Sequence, residues 1–320
     1  MTESRRAAFP AGRPRVLAII PLPEVTVAAL GERCDLVYRP SGWQAVQSED
    51  LAETRAVVTN GTTGLSSDRM AMMPALGLVS AFGAGYENID VGAARAREVA
   101  VTHAPAANDD TVGDHALALL LSLARDIPRR DRAMRAGGWA DIRSPRPTLS
   151  GAAVGVLGLG HIGGKIARRA AAFGSHIFYH TPSPKPDCGF TYAASPLALA
   201  ERSRFLIVAC PGGAATRHLV DSKVLDALGP DGFLVNIARG GIVDTQALIA
   251  ALSSGRIAGA ALDVFEGEPN LPPALLALDN LICTPHMAGR SPEAESAQTE
   301  ILLANLQAFF AKRPLVNPVP

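Results

Sequence analysis

A glycine-rich turn with the sequence Gly158-Leu-Gly160-His161-Ile162-Gly163 has the residue types and the spacing of a phosphate-binding loop. The apolar run that ends at Leu157 predicts a strand before the turn, and Lys165–Ala172 predicts a helix after it. The first glycine permits the tight bend, the second lets a pyrophosphate approach the backbone, and the third lets helix and strand pack closely. Because a helix N-terminus attracts anions, the turn predicts a bound dinucleotide; a glycine turn without a ligand is the alternative.

The end of the next strand indicates which dinucleotide the site prefers. An NAD site usually has Asp or Glu there, which accepts a hydrogen bond from the ribose 2′-hydroxyl, but this chain has His180-Thr-Pro-Ser-Pro-Lys185. No carboxylate repels a 2′-phosphate, and Thr181, Ser183 and Lys185 can donate to one, so the sequence favours NADP(H). NAD(H) stays possible, because Asp187 would supply the acid if the strand ran several residues longer.

Short β-rich runs alternate with plausible helices along the chain, which is the pattern of parallel-sheet α/β proteins. The six runs in the second half suggest a complete dinucleotide-binding sheet. The predicted strands are Val16–Ile20, Cys34–Tyr38, Ala56–Thr59, Leu78–Phe82, Ala153–Leu157, Ile177–Tyr179, Phe205–Ala209, Phe233–Ile237, Ala260–Val264 and Leu281–Cys283.

Two helices connect these runs into domains. Thr111–Arg125 has apolar residues at helical spacing and is long enough to bridge two domains. The amphipathic segment Glu300–Phe310 has no strand of its own, so it must pack on a domain that is already built. We therefore predict one domain of residues 1–104 and 287–320, a second domain of residues 105–286 inserted into it, and a cleft between them.

The composition argues against several classes of partner. Lys and Arg number 30, as do Asp and Glu, so no net charge attracts nucleic acid or an anionic membrane, and a small molecule fits better. Residues 1–13 lack the apolar segment of a signal peptide, and Ala116–Ala124 is too short to span a bilayer, which predicts a cytoplasmic protein. Four cysteines without a C-x-x-C pair favour buried reduced thiols over disulfides or a metal site: Cys34, Cys188, Cys210 and Cys283.

Five segments of the chain resemble the signatures of the D-isomer-specific 2-hydroxyacid dehydrogenase family. They are Gly83–Asp90, Gly158–Gly163, Val235–Asp244, Ala261–Pro269 and Thr284–His286. Within that family, residues 176–186 and 208–211 are most similar to glyoxylate/hydroxypyruvate and hydroxyphenylpyruvate reductases. The resemblance implies two Rossmann-like, doubly wound α/β domains, with the NAD(P)-binding domain inserted into a flavodoxin-like substrate domain. It also implies a homodimer, and Trp139 lies in the segment that resembles the family's dimer arm.

The reduction of a 2-oxo acid needs a cation for the carboxylate, a proton donor for the nascent alkoxide and a hydride donor on the opposite side. The resemblance implies that Arg239 is the cation and that His286 is the acid/base. It also implies that Glu268 is the carboxylate paired with this histidine, keeping it charged until it donates. Glu266 is the rival, but we favour Glu268 because the family pattern carries a Glu-Pro pair.

The resemblance implies two further sets of contacts. Asp263 and the backbone of Ala238 are expected at the nicotinamide end of the cofactor, although Asp263 alternatively caps the following turn. The remaining cofactor contacts are Cys210 and Pro211. The turn of Gly83, Ala84 and Gly85 has N–H groups that can bind the substrate carboxylate, with Asn60 and Gly61 beside it; a plain turn is the alternative.

We therefore expect NAD(P)H-dependent reduction of a small 2-oxo acid, such as glyoxylate or hydroxypyruvate, with His286 as the proton donor. One alternative is a nucleotide-sensing module similar to the family's corepressor branch, which would keep the same residues. The other is an NAD-linked dehydrogenase of the phosphoglycerate type, although the acid expected for its ribose is missing after the second strand.

Overall fold

The computed structural model describes residue 9, residues 12–140 and residues 142–320. This part of the chain divides into two compact units. The first unit ends at Asn108 and resumes at Ser291, and the second unit comprises Asp109–Arg290. In sequence, the second unit is therefore an insertion into the first.

Each unit contains one sheet, and every pairing between neighbouring strands of the described residues is parallel. The strands of the first unit are β1 (Arg15–Ala18), β2 (Asp35–Tyr38), β3 (Thr54–Thr59), β4 (Leu78–Ala81) and β5 (Ala100–Thr102). Those of the second unit are β6 (Ala153–Leu157), β7 (His176–His180), β8 (Thr191–Tyr192), β9 (Phe205–Val208), β10 (Phe233–Asn236), β11 (Gly259–Leu262) and β12 (Leu281–Cys283).

The strand order differs between the two sheets. The first sheet has the order β2-β1-β3-β4-β5, which is the flavodoxin-like arrangement. The second has the order β12-β11-β10-β9-β6-β7-β8, so the chain starts in the middle, runs outward to β8, and returns to build the other half from β9. Ligands of such sheets bind at the carboxyl ends of the strands where the direction reverses, which here are β6 and β9.

Helices connect the strands of both sheets. Several start at a side chain that accepts a hydrogen bond from the first turn, as Asp221, Asp244 and Ser291 do for the ninth, tenth and twelfth helix. The α-helices are α1 (Glu24–Arg33), α2 (Ser48–Leu51), α3 (Ser67–Ala71), α4 (Val91–Ala96), α5 (Asp109–Arg125), α6 (Ile127–Arg135), α7 (His161–Ala172), α8 (Pro196–Ala200), α9 (Ser222–Leu228), α10 (Thr245–Ser253), α11 (Pro273–Leu276) and α12 (Pro292–Phe310).

Both faces of the second sheet are buried. Phe205 and Ile207 of β9 pack with α5 and α7 in one core, whereas Leu206 and Val208 pack in a second core on the opposite face. Neighbouring residues of a strand point to opposite faces, so a strand covered on both sides has to be apolar throughout. This explains why the strands are continuous runs of apolar residues and do not alternate between apolar and polar residues.

The ten predicted strands are all present, and the described part of the chain has two more. The strands β5 and β8 were not predicted from the sequence, because they are only three and two residues long. The domain borders were predicted after residues 104 and 286, whereas the observed borders lie after residues 108 and 290. The observed borders come later because α5 begins at Asp109 and because the turn after His286 is bonded to Asp263 inside the second unit.

The structure also bears on the expected burial of the cysteines and on membrane-spanning helices. The expectation of buried thiols holds for Cys34 and Cys210, but Cys188 is only partly buried and Cys283 is exposed, so it is wrong for Cys283. Among the residues that the structure describes, we find no helix with the length and apolar character needed to cross a membrane.

Candidate active site

The glycine turn between β6 and α7 has a backbone shape that requires glycine. Gly158 has a φ of +98°, and a Cβ there would lie 2.5 Å from backbone atoms of Cys210. A Cβ on Gly163 would lie 1.9 Å from the carbonyl oxygen of Gly158, so no larger residue lets the helix start this close to the strand. Gly160 differs, because a Cβ there would meet no atom within 4 Å. The middle glycine therefore borders open space.

The residues around this open space fit an anionic group. Gly160 is the N-cap of α7, and its helix end has no side-chain cap, so its first N–H groups point toward the turn. The positive end of the helix dipole favours a pyrophosphate at this place. Exposed His161 lies with Nδ1 3.7 Å from Asp109, and Ile162 packs against the core below. The turn therefore suits the diphosphate of NAD(P).

The loop after β7 is held close to the glycine turn. Lys185 Nζ donates to the carbonyl oxygen of Leu159, within that turn, at 2.7 Å. The hydroxyl of buried Tyr179 accepts from the N–H of Lys185 at 2.7 Å and donates to its carbonyl oxygen at 3.1 Å. An ammonium group has three hydrogens, so Lys185 can bind a phosphate oxygen as well. Sequence reasoning missed Tyr179, although a tyrosine at the end of a buried strand needs a partner for its hydroxyl.

The other two predicted donors of this loop differ in access. Thr181 is buried, and its hydroxyl donates to the carbonyl oxygen of Ser183 at 2.6 Å. Ser183 itself is exposed. Thr181 therefore stabilises the loop from within, whereas the Ser183 hydroxyl and the Lys185 ammonium group lie at the protein surface.

Cys210 and Pro211 follow β9, next to the strand that leads into the glycine turn. The backbone of Cys210 lies against Gly158, as the short Cβ distance at that glycine shows. Burial raises the pKa of the Cys210 thiol to about 11, so this thiol stays neutral and packs as an apolar group. Pro211 is exposed, and its carbonyl oxygen accepts from the hydroxyl of Thr216.

Arg239 lies in a turn that follows β10. Buried Asn236 holds this turn from both sides: its Oδ1 accepts from the N–H of Ala238 at 3.1 Å, and its Nδ2 donates to the carbonyl oxygen of Arg239 at 3.1 Å. The Nη1 of Arg239 donates to the carbonyl oxygen of Ala238 at 2.6 Å. A Cβ on Gly212 would lie 2.6 Å from Cγ of Arg239, so that glycine leaves room for the arginine stem. Sequence reasoning missed Asn236, which stands at a strand end like Arg239.

Glu268 and His286 are in direct contact. Nδ1 of His286 lies 2.7 Å from Oε2 of Glu268, and Oε1 of Glu268 accepts from the N–H of Phe265 at 3.0 Å. Burial alone would raise the pKa of Glu268, but these hydrogen bonds outweigh it and hold the pKa below its ordinary value. A carboxylate only accepts, so Nδ1 carries hydrogen in both charge states of the ring. Of the two ring nitrogens of His286, Nε2 is therefore the one that can exchange a proton.

Glu266, the rival carboxylate, has other partners. Its Oε1 lies 2.9 Å from Nε2 of His218, and its Oε2 accepts from the hydroxyl and the N–H of Thr245 at 2.7 and 3.3 Å. Burial would raise the pKa of Glu266, but these hydrogen bonds hold it below its ordinary value. The geometry therefore places Glu268, and not Glu266, beside His286.

Asp263 follows β11, is 1% exposed, and holds the turn that carries His286. Its Oδ1 accepts from the hydroxyl of Thr284 at 2.6 Å and from the N–H of Met287 at 2.9 Å, and its Oδ2 accepts from the N–H of Ala288 at 2.9 Å. Burial would raise the pKa of Asp263, but its hydrogen-bond donors lower it to about 2, so the carboxylate is charged. Its predicted contact with the nicotinamide stays a prediction. Thr284 is a further residue that sequence reasoning missed.

The three predicted catalytic residues follow the carboxyl ends of neighbouring strands. Arg239 follows β10, Glu268 lies in the segment after β11, and His286 follows β12, and these strands pair in the order β10-β11-β12. The turn of Arg239 also touches the segment of Glu268, because a Cβ on Gly240 would lie 2.1 Å from the backbone of Phe265. One sheet edge thus carries a cation and a carboxylate-paired histidine, which can bind an anion and transfer a proton.

The predicted substrate-binding turns lie in the first unit. Gly61 and Gly85 are in contact, because a Cβ on Gly61 would lie 2.7 Å from the backbone of Gly85. Gly83 has a φ of +125°, and Nδ1 of His103 lies 2.9 Å from the carbonyl oxygen of Ala84. Oδ1 of Asn60 accepts from the N–H of Thr63 at 2.7 Å. The structure therefore brings the two turns together; their binding of a carboxylate stays a prediction.

Comparison with known proteins gives a consistent result. The family model described as "D-isomer specific 2-hydroxyacid dehydrogenase, NAD binding domain" matches residues 117–288. The chain is 40% identical over 283 residues to glyoxylate/hydroxypyruvate reductase A of Arabidopsis thaliana, covering 87% of this chain and 90% of that protein. It is 39% identical over 277 residues to hydroxyphenylpyruvate reductase of Plectranthus scutellarioides, covering 86% and 87%.

A solved structure extends the similarity to the fold. It is the NADPH-dependent glyoxylate/hydroxypyruvate reductase of Sinorhizobium meliloti in complex with NADP and malonate. Its TM-score is 0.89 at 38% identity, and the match covers 96% of this chain and 97% of that one. The match therefore includes both units and not the dinucleotide-binding unit alone.

Proposed function

Because this chain belongs to the D-isomer-specific 2-hydroxyacid dehydrogenase family, we propose that it reduces a small 2-oxo acid of the glyoxylate or hydroxypyruvate type to the 2-hydroxy acid. We propose NADPH as the favoured reductant and His286 as the proton donor. The observation that carries the proposal is the 2.7 Å contact between Nδ1 of His286 and Glu268, at the same sheet edge as Arg239.

In the proposed mechanism, bound NAD(P)H supplies a hydride to C2 of the substrate. The guanidinium of Arg239 binds the substrate carboxylate and polarises the ketone, because its planar fork matches two oxygens. His286, charged and paired with Glu268, donates the proton of Nε2 to the oxygen that would otherwise become an alkoxide. Glu268 fixes the ring through Nδ1 and stabilises its positive charge until the proton has left. In the reverse direction the neutral ring accepts the proton.

The preference for NADPH rests on the loop after β7. Lys185 is held 2.7 Å from the carbonyl oxygen of Leu159, so its charge lies beside the glycine turn. Ser183 adds an exposed hydroxyl in the same loop, and the loop has no carboxylate between His180 and Lys185. A phosphate with two negative charges would bind there more strongly than a neutral hydroxyl.

We propose that the protein is a homodimer, and its apolar surface supports this. Trp139 is 63% exposed, and Ile127 and Met134 of α6 are 53% and 45% exposed. A tryptophan this exposed does not contribute to the core of its own chain, and exposed apolar residues that lie close together in sequence are typical of protein interfaces. Sedimentation of wild type and of Trp139→Ser tests the assignment, since we expect only the variant to dissociate on dilution.

A cytoplasmic location stays a prediction from the sequence.

The experiment that tests the activity is a substrate panel. Purified protein is mixed with NADPH or NADH and with glyoxylate, hydroxypyruvate or phenylpyruvate, and the absorbance of the reduced nicotinamide is followed. We expect the absorbance to fall with at least one of the acids, and faster with NADPH than with NADH. Binding of NADPH without turnover of any acid in the panel would contradict the proposal and favour a nucleotide-sensing module.

A further inference from the structure

A second histidine of the inserted unit, His115, contacts the polar groups beneath His286. It lies on α5, and its side chain is 19% exposed. Its Nε2 lies 3.1 Å from Oγ1 of Thr284 and 3.5 Å from Oδ1 of Asp263. The proposed mechanism gives this histidine no role, although it is a partly buried titratable group near the proton donor.

The direction of each hydrogen bond in this cluster follows from the groups involved. The Thr284 hydroxyl lies 2.6 Å from Oδ1 of Asp263, and a carboxylate can only accept, so the hydroxyl hydrogen points to Asp263. Oγ1 of Thr284 is then left as an acceptor toward His115. Nε2 of His115 therefore carries the hydrogen, and the three residues form a chain in which His115 donates to Thr284 and Thr284 donates to Asp263.

This chain ends on the carboxylate that shapes the turn of His286. His286 has a φ of +51°, a left-handed conformation that residues other than glycine adopt uncommonly. Such a conformation persists when its surroundings impose it. Here the N–H of His286 donates to the carbonyl oxygen of Asp263 at 2.9 Å, and the next two N–H groups donate to the two carboxylate oxygens. The turn therefore depends on how the Asp263 carboxylate is oriented.

We propose that His115 is a positioning residue for His286, acting through Thr284 and Asp263. By donating to Thr284 it fixes the rotation of the threonine hydroxyl, which in turn fixes the carboxylate that holds the left-handed turn. The turn keeps Nδ1 of His286 on Glu268 and so keeps Nε2 available for proton transfer. The inference rests on the proposed function, in which His286 is the proton donor.

The test uses two substitutions at one position. His115→Leu removes the hydrogen-bond donor and replaces it with an apolar side chain of similar bulk. The amide of His115→Gln, in contrast, can place an N–H near the position of Nε2. His176→Leu, at the exposed first position of β7, is the matched control. For each protein we would measure kcat and KM with the acid found in the substrate panel, the dissociation constant of NADPH by fluorescence titration, and the ¹⁵N–¹H spectrum of His286, assigned with His286→Gln.

We expect His115→Leu to lower kcat about 10-fold or more, because a small misplacement of a catalytic group is costly. The dissociation constant of NADPH should stay within about twofold of wild type, since the glycine turn is unaffected. The Nδ1–H signal of His286 should shift or broaden in His115→Leu. His115→Gln should restore most of kcat and the wild-type signal, and His176→Leu should match wild type in every measurement.

A folded His115→Leu with wild-type kcat and an unchanged His286 signal would overturn the proposal. A loss of kcat that His115→Gln leaves unrestored, with the His286 signal unmoved, would overturn it too, since it would mark a general structural effect. If His115→Leu does not fold, Thr284→Val and Thr284→Ser provide the same comparison from the hydroxyl side. If wild type reduces none of the acids, the proposed function fails, and the His286 spectra of the variants still decide whether His115 positions that ring.

Discussion

Nδ1 of His286 lies 2.7 Å from Oε2 of Glu268, although the two residues stand in segments that follow different strands. The parallel pairing of β11 with β12 brings the two segments to the same edge of the sheet. Glu268 also accepts from the backbone N–H of Phe265, so the backbone holds the carboxylate in addition to its contact with the histidine. The ring of His286 is thereby oriented by the protein and not by the substrate.

The two glutamates of this segment provide a matched pair of variants. Glu268→Gln replaces the charged partner of His286 by a neutral amide, so we expect kcat to fall about 10- to 100-fold, with little change in NADPH binding. Glu266→Gln affects His218 and Thr245 instead, so it should lower the melting temperature and leave kcat within about fivefold of wild type. Steady-state kinetics and thermal unfolding check both. A larger loss of kcat in Glu266→Gln would show that the assignment of the two carboxylates is reversed.

The glycine turn predicts opposite outcomes for two alanine substitutions. A Cβ on Gly163 would collide with the carbonyl oxygen of Gly158, so Gly163→Ala should destabilise the fold by about 1–3 kcal/mol. A Cβ on Gly160 meets no protein atom, so Gly160→Ala should keep the wild-type melting temperature and bind NADPH at least about 10-fold more weakly. Thermal unfolding and fluorescence titration separate the two effects. Wild-type NADPH affinity in Gly160→Ala would show that the cofactor does not occupy this space.

The low pKa of Asp263 predicts how stability depends on pH. The pKa is lowered from 3.8 to about 2 in the folded protein, so the charged carboxylate stabilises the fold fully above pH 3.8 and progressively less as the pH falls toward 2. A shift of this size corresponds to about 2 kcal/mol, at about 1.4 kcal/mol per unit. Asp263→Asn should therefore be less stable than wild type at neutral pH, and the difference should shrink below pH 4. Urea unfolding of both proteins across this range measures it, and a difference independent of pH would contradict the assignment.

We expect the choice between the two cofactors to depend on Lys185. Lys185→Met keeps the length of the side chain and removes the charge, so we expect kcat/KM with NADPH to fall about 10-fold while kcat/KM with NADH stays unchanged. The ratio of the two values cancels any general loss of activity. Equal losses with both cofactors would show that Lys185 supports the loop and does not recognise the 2′-phosphate.

Local sequence patterns predicted the strand bounds and the glycine turn, because these depend on residues that are neighbours in sequence. The strands β6 and β12 begin and end where their apolar runs do, and the glycine turn lies between a strand and a helix as its spacing requires. The fold class followed from the same alternation of strands and helices. Among the described strands, the very short β8 pairs with β7 alone at the sheet edge, so its extended conformation depends on that neighbour more than on its own two residues.

Contacts between distant segments were harder to predict. Glu266 and Glu268 are separated by one residue. The family pattern favoured Glu268 as the partner of His286, whereas no sequence pattern indicated the contact of Glu266 with His218. Asp263 was expected at the cofactor, yet its hydrogen bonds to Thr284, Met287 and Ala288 depend on how β11 and β12 are joined at their ends. His115, some 170 residues from Thr284 in sequence, carries no local pattern that indicates its contact.

The role of His286 as proton donor can be measured through the kinetics of His286→Ala. We would measure kcat/KM of wild type and variant with NADPH and the acid of the substrate panel, together with the dissociation constant of NADPH for both. We expect kcat/KM to fall at least about 100-fold, while the dissociation constant changes less than about threefold. A folded His286→Ala that keeps more than a tenth of wild-type turnover would contradict it.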